Sequence, residues 1–270
     1  MFFCPSIQVK DGNFIPNKFF IPRIVIKNYN LAMIYYEHWS KEHIMVLVII
    51  LTVMSGALFT VSKSTDKRVT VILRCLAVSH FVLEIVQDIL LVREQYDPYW
   101  MLPLHLCNLG IFVNLASAFS KGKARAIFSE ISVMLIMPGA LGALLFPDWN
   151  YRPLLSPVSI IIYVTHTILV LIPIIMIIRK ICDIRFSHVI YPLIFMILIV
   201  PPIYLVNTKL NTNYLFLRFP VDNSPLSFVY DTFTPKYYIM PGLLILLLGV
   251  LTAEYLIAYL IRKVISLKQR

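Results

Sequence analysis

Apolar residues run along this chain in long unbroken stretches and do not alternate with polar ones. Seven stretches are expected to be helices, at 44–62, 69–92, 101–119, 126–146, 157–178, 187–206 and 237–262. Each is close to the roughly 20 residues with which a helix crosses the hydrocarbon of a bilayer. A membrane barrel would instead show alternating segments of about ten residues. Lipid gives backbone groups no water to bond, so helices and closed barrels are the only spanning options. The pattern therefore predicts an all-α polytopic membrane protein, a seven-transmembrane-helix bundle. The connections are short except for 207–236. The expected organisation is an interfacial segment at 1–43, a membrane domain at 44–262 and a basic tail at 263–270.

Composition removes the soluble alternative. Hydrophobic residues make up 59% of the chain and charged ones 14%, whereas a soluble domain carries about 25% charged residues. A net charge of +10 would suit nucleic acid, but its distribution argues against that partner. Basic residues gather in short turns: Lys63, Lys67 and Arg68; Lys121, Lys123 and Arg125; Arg179, Lys180 and Arg185. Arg262, Lys263, Lys268 and Arg270 follow the last stretch. With seven helices these groups share one side, and the positive-inside rule makes that side cytoplasmic. The N-terminus is then outside and the C-terminus inside, with the basic turns gripping anionic lipid heads.

Residues 1–43 do not read as a cleavable signal, because the apolar stretch at Phe19–Ile26 is short and interrupted by Pro22 and Arg23. It is expected to lie along the outer face, with Tyr35, Tyr36 and Trp39 at headgroup level. Cys4, Cys75, Cys107 and Cys182 show no paired spacing, and no structural disulfide is expected.

Polar groups inside a membrane are costly and call for an explanation. The second stretch carries His80, Glu84, Gln87 and Asp88 on one face. The third begins Leu102-Pro103-Leu104-His105-Leu106-Cys107-Asn108. On an ideal helix His105 and Asn108 share a face, with Cys107 about 200° from His105. The fifth holds Thr165-His166-Thr167, and the long connection supplies Asn207, Asn211, Asn213 and Tyr214. His43 stands at the mouth of the first. All fall in the outer half of the bilayer or just above it, which points to a polar cavity open to that side. The inner half holds Arg74, Glu130 and Glu254, with Arg74 and Glu254 placed to pair. Each group also has a packing alternative: His80 bonded to a carbonyl, Glu84 and Asp88 in a network with it, Cys107 as a small space-filler. No H-x-x-x-H or similar ligand pair is present, so no metal and no cofactor is expected.

Leu102-Pro103-Leu104-His105-Leu106-Cys107 resembles the L-P-L-H-L-C signature of the YwaF-like bacterial membrane proteins, a family that includes the animal transmembrane protein 164. Three further segments fit in order. They are Ser40-Lys41-Glu42-His43, the run from Gly139 to Pro147, and Asn207 followed by Asn213-Tyr214-Leu215-Phe216-Leu217. The resemblance covers roughly residues 35–262. It implies an acyltransferase that moves fatty acyl chains between phospholipids, using a cysteine and a histidine on a later helix. The later histidine corresponds to His166. The animal protein's cysteine directly precedes the motif histidine, where this chain has Leu104; Cys107 lies two residues beyond His105.

The expected function is a lipid-modifying enzyme of the cell membrane, an acyltransferase or transacylase acting on phospholipid or another lipidated substrate at the outer leaflet. Histidine suits the general base, since its unperturbed pKa lies near neutrality. His166 is the expected base, His105 a second base or oxyanion donor, and Cys107 the candidate nucleophile. Asn108, Asn213, Tyr214, Glu84, Asp88 and His43 are the expected substrate contacts. Membrane lipids are the expected partners, as donor and acceptor, with no nucleic acid and no protein partner. The alternative is a small-solute or proton-coupled transporter. Against it, seven helices do not divide into equal repeats, and the inner half offers no evident polar path.

Overall fold

The structure, a computed structural model, describes residues 9–10, 13–14 and 34–268. The expectations for Cys4 and for Phe19–Ile26 lie outside the described residues. Within the N-terminal unit Met1–Ala32, strand β1 (Val9–Lys10) pairs antiparallel with β2 (Asn13–Phe14), a small departure from the all-α expectation.

Beyond that unit the described chain is helical from Lys41. Hydroxyl residues set several starts by accepting a backbone N–H that the first turn leaves unbonded. Ser40 accepts from His43 at the start of α1 (Lys41–Ser62), and Thr65 accepts from Arg68 at the start of α2 (Asp66–Arg93). α3 spans only Leu106–Phe119. α4 (Gly122–Ile131) continues through a π-helical stretch, Ser132–Ile136, into α5 (Met137–Leu145). Ser156 caps α6 (Pro157–Ile178), whose first residue is a proline with no N–H to satisfy. α7 (Ile190–Leu210) ends at Asn211 in the left-handed region. Ser224 caps α8 (Pro225–Tyr237), which leads through a second π stretch into α9 (Leu244–Lys268).

Among the described residues six helical runs are long and apolar enough to cross a membrane: Lys41–Ser62, Asp66–Arg93, Gly122–Leu145, Pro157–Ile178, Phe186–Leu210 and Tyr238–Ile261. The chain is a multi-pass membrane protein. The stretch expected as a helix over 101–119 is helical only from Leu106. Pro98–Trp100 form a single 3-10 turn, and the chain stays non-helical to His105, at φ −70° and ψ 154°. Pro103 accounts for much of this, because it disfavours helical backbone at the residue before it.

α6 is the central helix. It packs against α1, α2, α3 and α5 and buries Leu169, Ile172, Ile175 and Met176 completely. α1 shows the opposite pattern, with Val48, Leu51, Val53 and Phe59 all more than half exposed. Such a surface suits lipid, since lipid tails impose no penalty on exposed apolar side chains.

Contacts at the two ends fix which turns lie together. At one end Arg179 bonds the Asp66 carboxylate and donates to the Ser62 carbonyl (3.2 Å), joining the α1–α2 turn to the end of α6. At the other, Arg152 pairs with Glu94 (2.6 Å), Leu154 N–H donates to Ile34 (2.8 Å) and His38 donates to the Pro147 carbonyl (2.9 Å). The first end carries the clustered basic turns.

Two expectations for the basic half need correction. Arg74 does not pair with Glu254: its Nε–H donates to the Ala118 carbonyl (3.3 Å) near the end of α3, and its guanidinium lies over Phe119. Glu254 Oε2 is buried without a hydrogen-bond partner among the described residues. This half is also richer in polar contacts than expected. Ser132 bonds Asn114 (2.6 Å), Ser117 bonds Ser129 (2.8 Å), and Glu130 accepts from Tyr255 (2.9 Å) and Cys182 (3.3 Å), with His188 at 3.5 Å. Asn114, Ser117, Ser129 and Ser132 are fully buried between α3 and the α4–α5 run. Interhelical bonds of this kind hold membrane helices together where hydrophobicity supplies little drive.

Candidate functional site

The non-helical 101–105 segment is held by the long connection after α7. Fully buried Asn207 accepts from Thr212 Oγ1 (2.9 Å) and Tyr214 N–H (2.7 Å), and its amide donates to the Tyr214 carbonyl (2.9 Å). That bonding fixes Tyr214, whose hydroxyl donates to the Tyr99 carbonyl (2.6 Å) and accepts from Leu102 N–H (2.9 Å). The His105 ring then rests between Tyr214 (5.0 Å between centroids) and Phe216 (5.3 Å). Leu215 and Phe216 both have positive φ, 56° and 52°. Bulky side chains adopt that conformation at a cost and only where surroundings impose it, often beside functional groups.

His166 projects from α6 toward the same region. Its Nδ1 lies 2.8 Å from the Ile162 carbonyl, which can only accept, so Nδ1 carries the proton. In the neutral ring Nε2 is then the basic nitrogen. Trp149 packs on the His166 ring at 5.0 Å. His166 lies close enough to both His80 and His105 to interact with each electrostatically. His80 is itself 1% exposed, and its Nδ1 has no hydrogen-bond partner among the described residues. Histidines from α2, α6 and the residue preceding α3 therefore converge. Among the described residues no group of three or more His, Cys, Asp or Glu side chains has the geometry of a metal site.

Cys107 and Asn108 open the first turn of α3. Asn108 donates from Nδ2 to the Glu84 carboxylate on α2. The electrostatic neighbours of Cys107 are the carboxylates of Asp148 and Glu84. α3 can approach its neighbours here because they are small: a Cβ on Gly139 would stand 2.8 Å from Leu106 Cδ2. The Gly139–Pro147 run thus makes room for α3 and ends in the loop that presents Asp148 and Trp149.

Other expected substrate contacts have different surroundings. His43 is fully buried and uses both ring nitrogens on backbone: Nε2 with the Leu144 carbonyl (2.9 Å), Nδ1 with Trp39 N–H (3.1 Å). Asn213 spends its amide within its own loop, donating to Phe219 and accepting from Arg218 N–H and Phe219 N–H. Tyr214 is 0% exposed and holds backbone. These three shape the site from behind. Sequence reasoning passed over Trp149 and Phe216 as site residues; Phe216 sits in a family-like segment and Trp149 just beyond one, but nothing in their spacing announced contact with a histidine.

Comparison with curated proteins and with solved structures finds no match. Comparison with family profiles does find one, over residues 38–252, which include His80, His105, Cys107, Trp149, His166 and Phe216: this chain belongs to the TMEM164 family.

Proposed function

We propose that this protein is a membrane-embedded acyltransferase or transacylase working on phospholipid at the outer leaflet, with His166 as general base. The observation that carries the reading is the pairing of His166 Nδ1–H with the Ile162 carbonyl, which leaves Nε2 as the basic nitrogen, with His105 and His80 within electrostatic reach of the ring. In this reaction the acceptor hydroxyl gives its proton to His166 Nε2 as its oxygen attacks the ester carbonyl of the donor. The tetrahedral intermediate collapses by breaking the donor's ester C–O bond, and the leaving oxygen takes the proton back from Nε2. His105 donates to the oxyanion. Asn108 and Glu84 line the approach. Direct transfer suits Cys107's carboxylate neighbours, since thiolate nucleophiles ordinarily sit beside cations.

The chain crosses the cell membrane seven times in this proposal, with the extended 101–105 segment completing the path of the 14-residue α3. The basic end faces the cytoplasm by the positive-inside rule, which places the histidines toward the outer leaflet.

The test is acyl exchange between a labelled phospholipid and a lysophospholipid, using purified protein in vesicles. Replacing His166 by Gln is expected to slow exchange by about 100-fold or more, while Cys107→Ser keeps activity. Wild-type rates in both His166→Gln and His105→Gln would sink the mechanism, and loss in Cys107→Ser alone would move it to a thioester intermediate.

A transporter reading draws on one observation, the buried polar contacts of the basic half. Solute uptake into proteoliposomes without change in lipid composition would favour it.

A further inference from the structure

The basic end of the bundle holds a second polar site, remote from His80, His105 and His166. Asp66, Val69 and Thr70 from the start of α2, Arg125 from α4, and Arg179 and Ile181 from the end of α6 surround a cavity of about 210 Å³. Arg179 is committed: its side chain is 19% exposed and bonds Asp66 and the Ser62 carbonyl. Arg125 is not. Its Nε–H is buried with no acceptor, and no carboxylate lies within ion-pair distance of it among the described residues. A buried guanidinium N–H without an acceptor is costly, and the cavity beside it is where an acceptor would enter. Two arginines against one aspartate leave the site with one uncompensated positive charge. The floor is apolar, from Val69 and Ile181, and the site lies at the ends of helices of membrane-spanning length, which is where a bilayer sets its headgroups.

We infer that this cavity binds a phosphate group, with Arg125 as its principal ligand and the headgroup of an anionic phospholipid as its source. The guanidinium fork matches phosphate oxygens in a planar, charge-assisted geometry that lysine does not reproduce. Thr70 stands at the rim; its hydroxyl already donates to the Asp66 carbonyl (3.0 Å) and presents its lone pairs as acceptors, which suits a protonated monoester oxygen. The Asp66 carboxylate, 96% exposed and engaged by Arg179, keeps the second arginine from binding the anion as strongly. Phosphatidate, with an unesterified phosphate, fits this arrangement better than a choline-capped diester. The inference stands apart from the acyl-transfer reading, because no residue is shared.

Native mass spectrometry of the purified full chain, exchanged into detergent with equal phosphatidate and phosphatidylcholine, reads the selection directly. Wild type is expected to retain phosphatidate preferentially, and Arg125→Gln to lose about tenfold in that retention, while Lys123→Gln on the same turn keeps it. Thr70→Phe fills the cavity without changing charge and serves if Arg125→Gln does not fold; it too should lose retention. A parallel arm follows thermal unfolding with inorganic phosphate alone. Stabilisation by phosphate that Arg125→Gln abolishes, without any lipid preference, would assign the site to a soluble phosphate and overturn the lipid source. Equal retention of both lipids by wild type with no phosphate effect, or undiminished retention in Thr70→Phe, would overturn the site.

Discussion

At the scale of single residues, the candidate site depends on groups whose polar atoms are spent on backbone. Tyr214 is the clearest case. Its hydroxyl makes two bonds to the backbone of the 99–102 segment, and its ring packs on His105. Removing that hydroxyl leaves the Leu102 N–H and the Tyr99 carbonyl without their partner, at a cost of about 1–3 kcal/mol. Tyr214→Phe is therefore expected to lower the unfolding midpoint in detergent and to slow acyl exchange without abolishing it, since His166 keeps its own bond to Ile162. A Tyr214→Phe protein with unchanged melting would mean that the 101–105 segment is held elsewhere. His43 shows why residue type alone misleads. A histidine at a helix mouth reads as a ligand, yet both its nitrogens are consumed by backbone from two different segments.

At the scale of elements, α3 is the short helix on which the site is assembled, and its close packing rests on glycine. A Cβ at Gly110 would stand 2.6 Å from Ile136 Cγ2 and 2.8 Å from Leu169 Cδ2, between the π stretch and the central helix. Gly110→Ala is expected to destabilise by about 1–3 kcal/mol through forced displacement of those side chains. Gly56→Ala on α1, where nothing lies within 4 Å, should be neutral or slightly stabilising. Equal unfolding midpoints for the two variants would show that α3 can shift freely. The long helices were legible in the sequence: the stretch expected at 157–178 matches Pro157–Ile178, and that expected at 44–62 differs from Lys41–Ser62 only at its start. Apolar run length decides such cases because a spanning helix must satisfy its own backbone. The same signal failed at 101–105. Leu102 and Leu104 are apolar whatever their backbone does, and the partner that holds them, Tyr214, lies more than a hundred residues away. The convergence of His80, His105 and His166 was only half legible, since spacing gives depth within each helix and not which faces meet. The buried serines of α3 and α4 gave still less warning, because a serine inside an apolar run does not reveal whether it bonds its own helix or the next.

At the scale of the whole molecule, the arrangement of ends constrains topology more tightly than hydropathy does. The α1–α2 turn meets the end of α6 through Arg179, and the cavity there also takes in Arg125 from the start of α4. The end of α2 meets the α5–α6 loop through Glu94 and Arg152, and Tyr214 reaches Tyr99 and Leu102. α3 is the element between these ends that is shorter than a bilayer needs: 14 residues at 1.5 Å each rise about 21 Å, against about 30 Å of hydrocarbon. Whether it crosses decides whether the α3–α4 basic turn lies across the bilayer from the end of α2. Arg93 and Lys123, both exposed, bracket α3 with no other helix between them that traverses the bundle. A membrane-impermeant maleimide is expected to label Arg93→Cys in intact cells and Lys123→Cys only after permeabilisation, each measured against the wild-type background. Labelling of both from the same side would show that α3 re-enters without crossing. The helix count would then be even, and the positive-inside argument for an outward-facing site would fail. The reverse pattern, Lys123→Cys outside and Arg93→Cys inside, would keep seven crossings but turn the histidines toward the cytoplasmic leaflet, where a different pool of lipid would be the substrate.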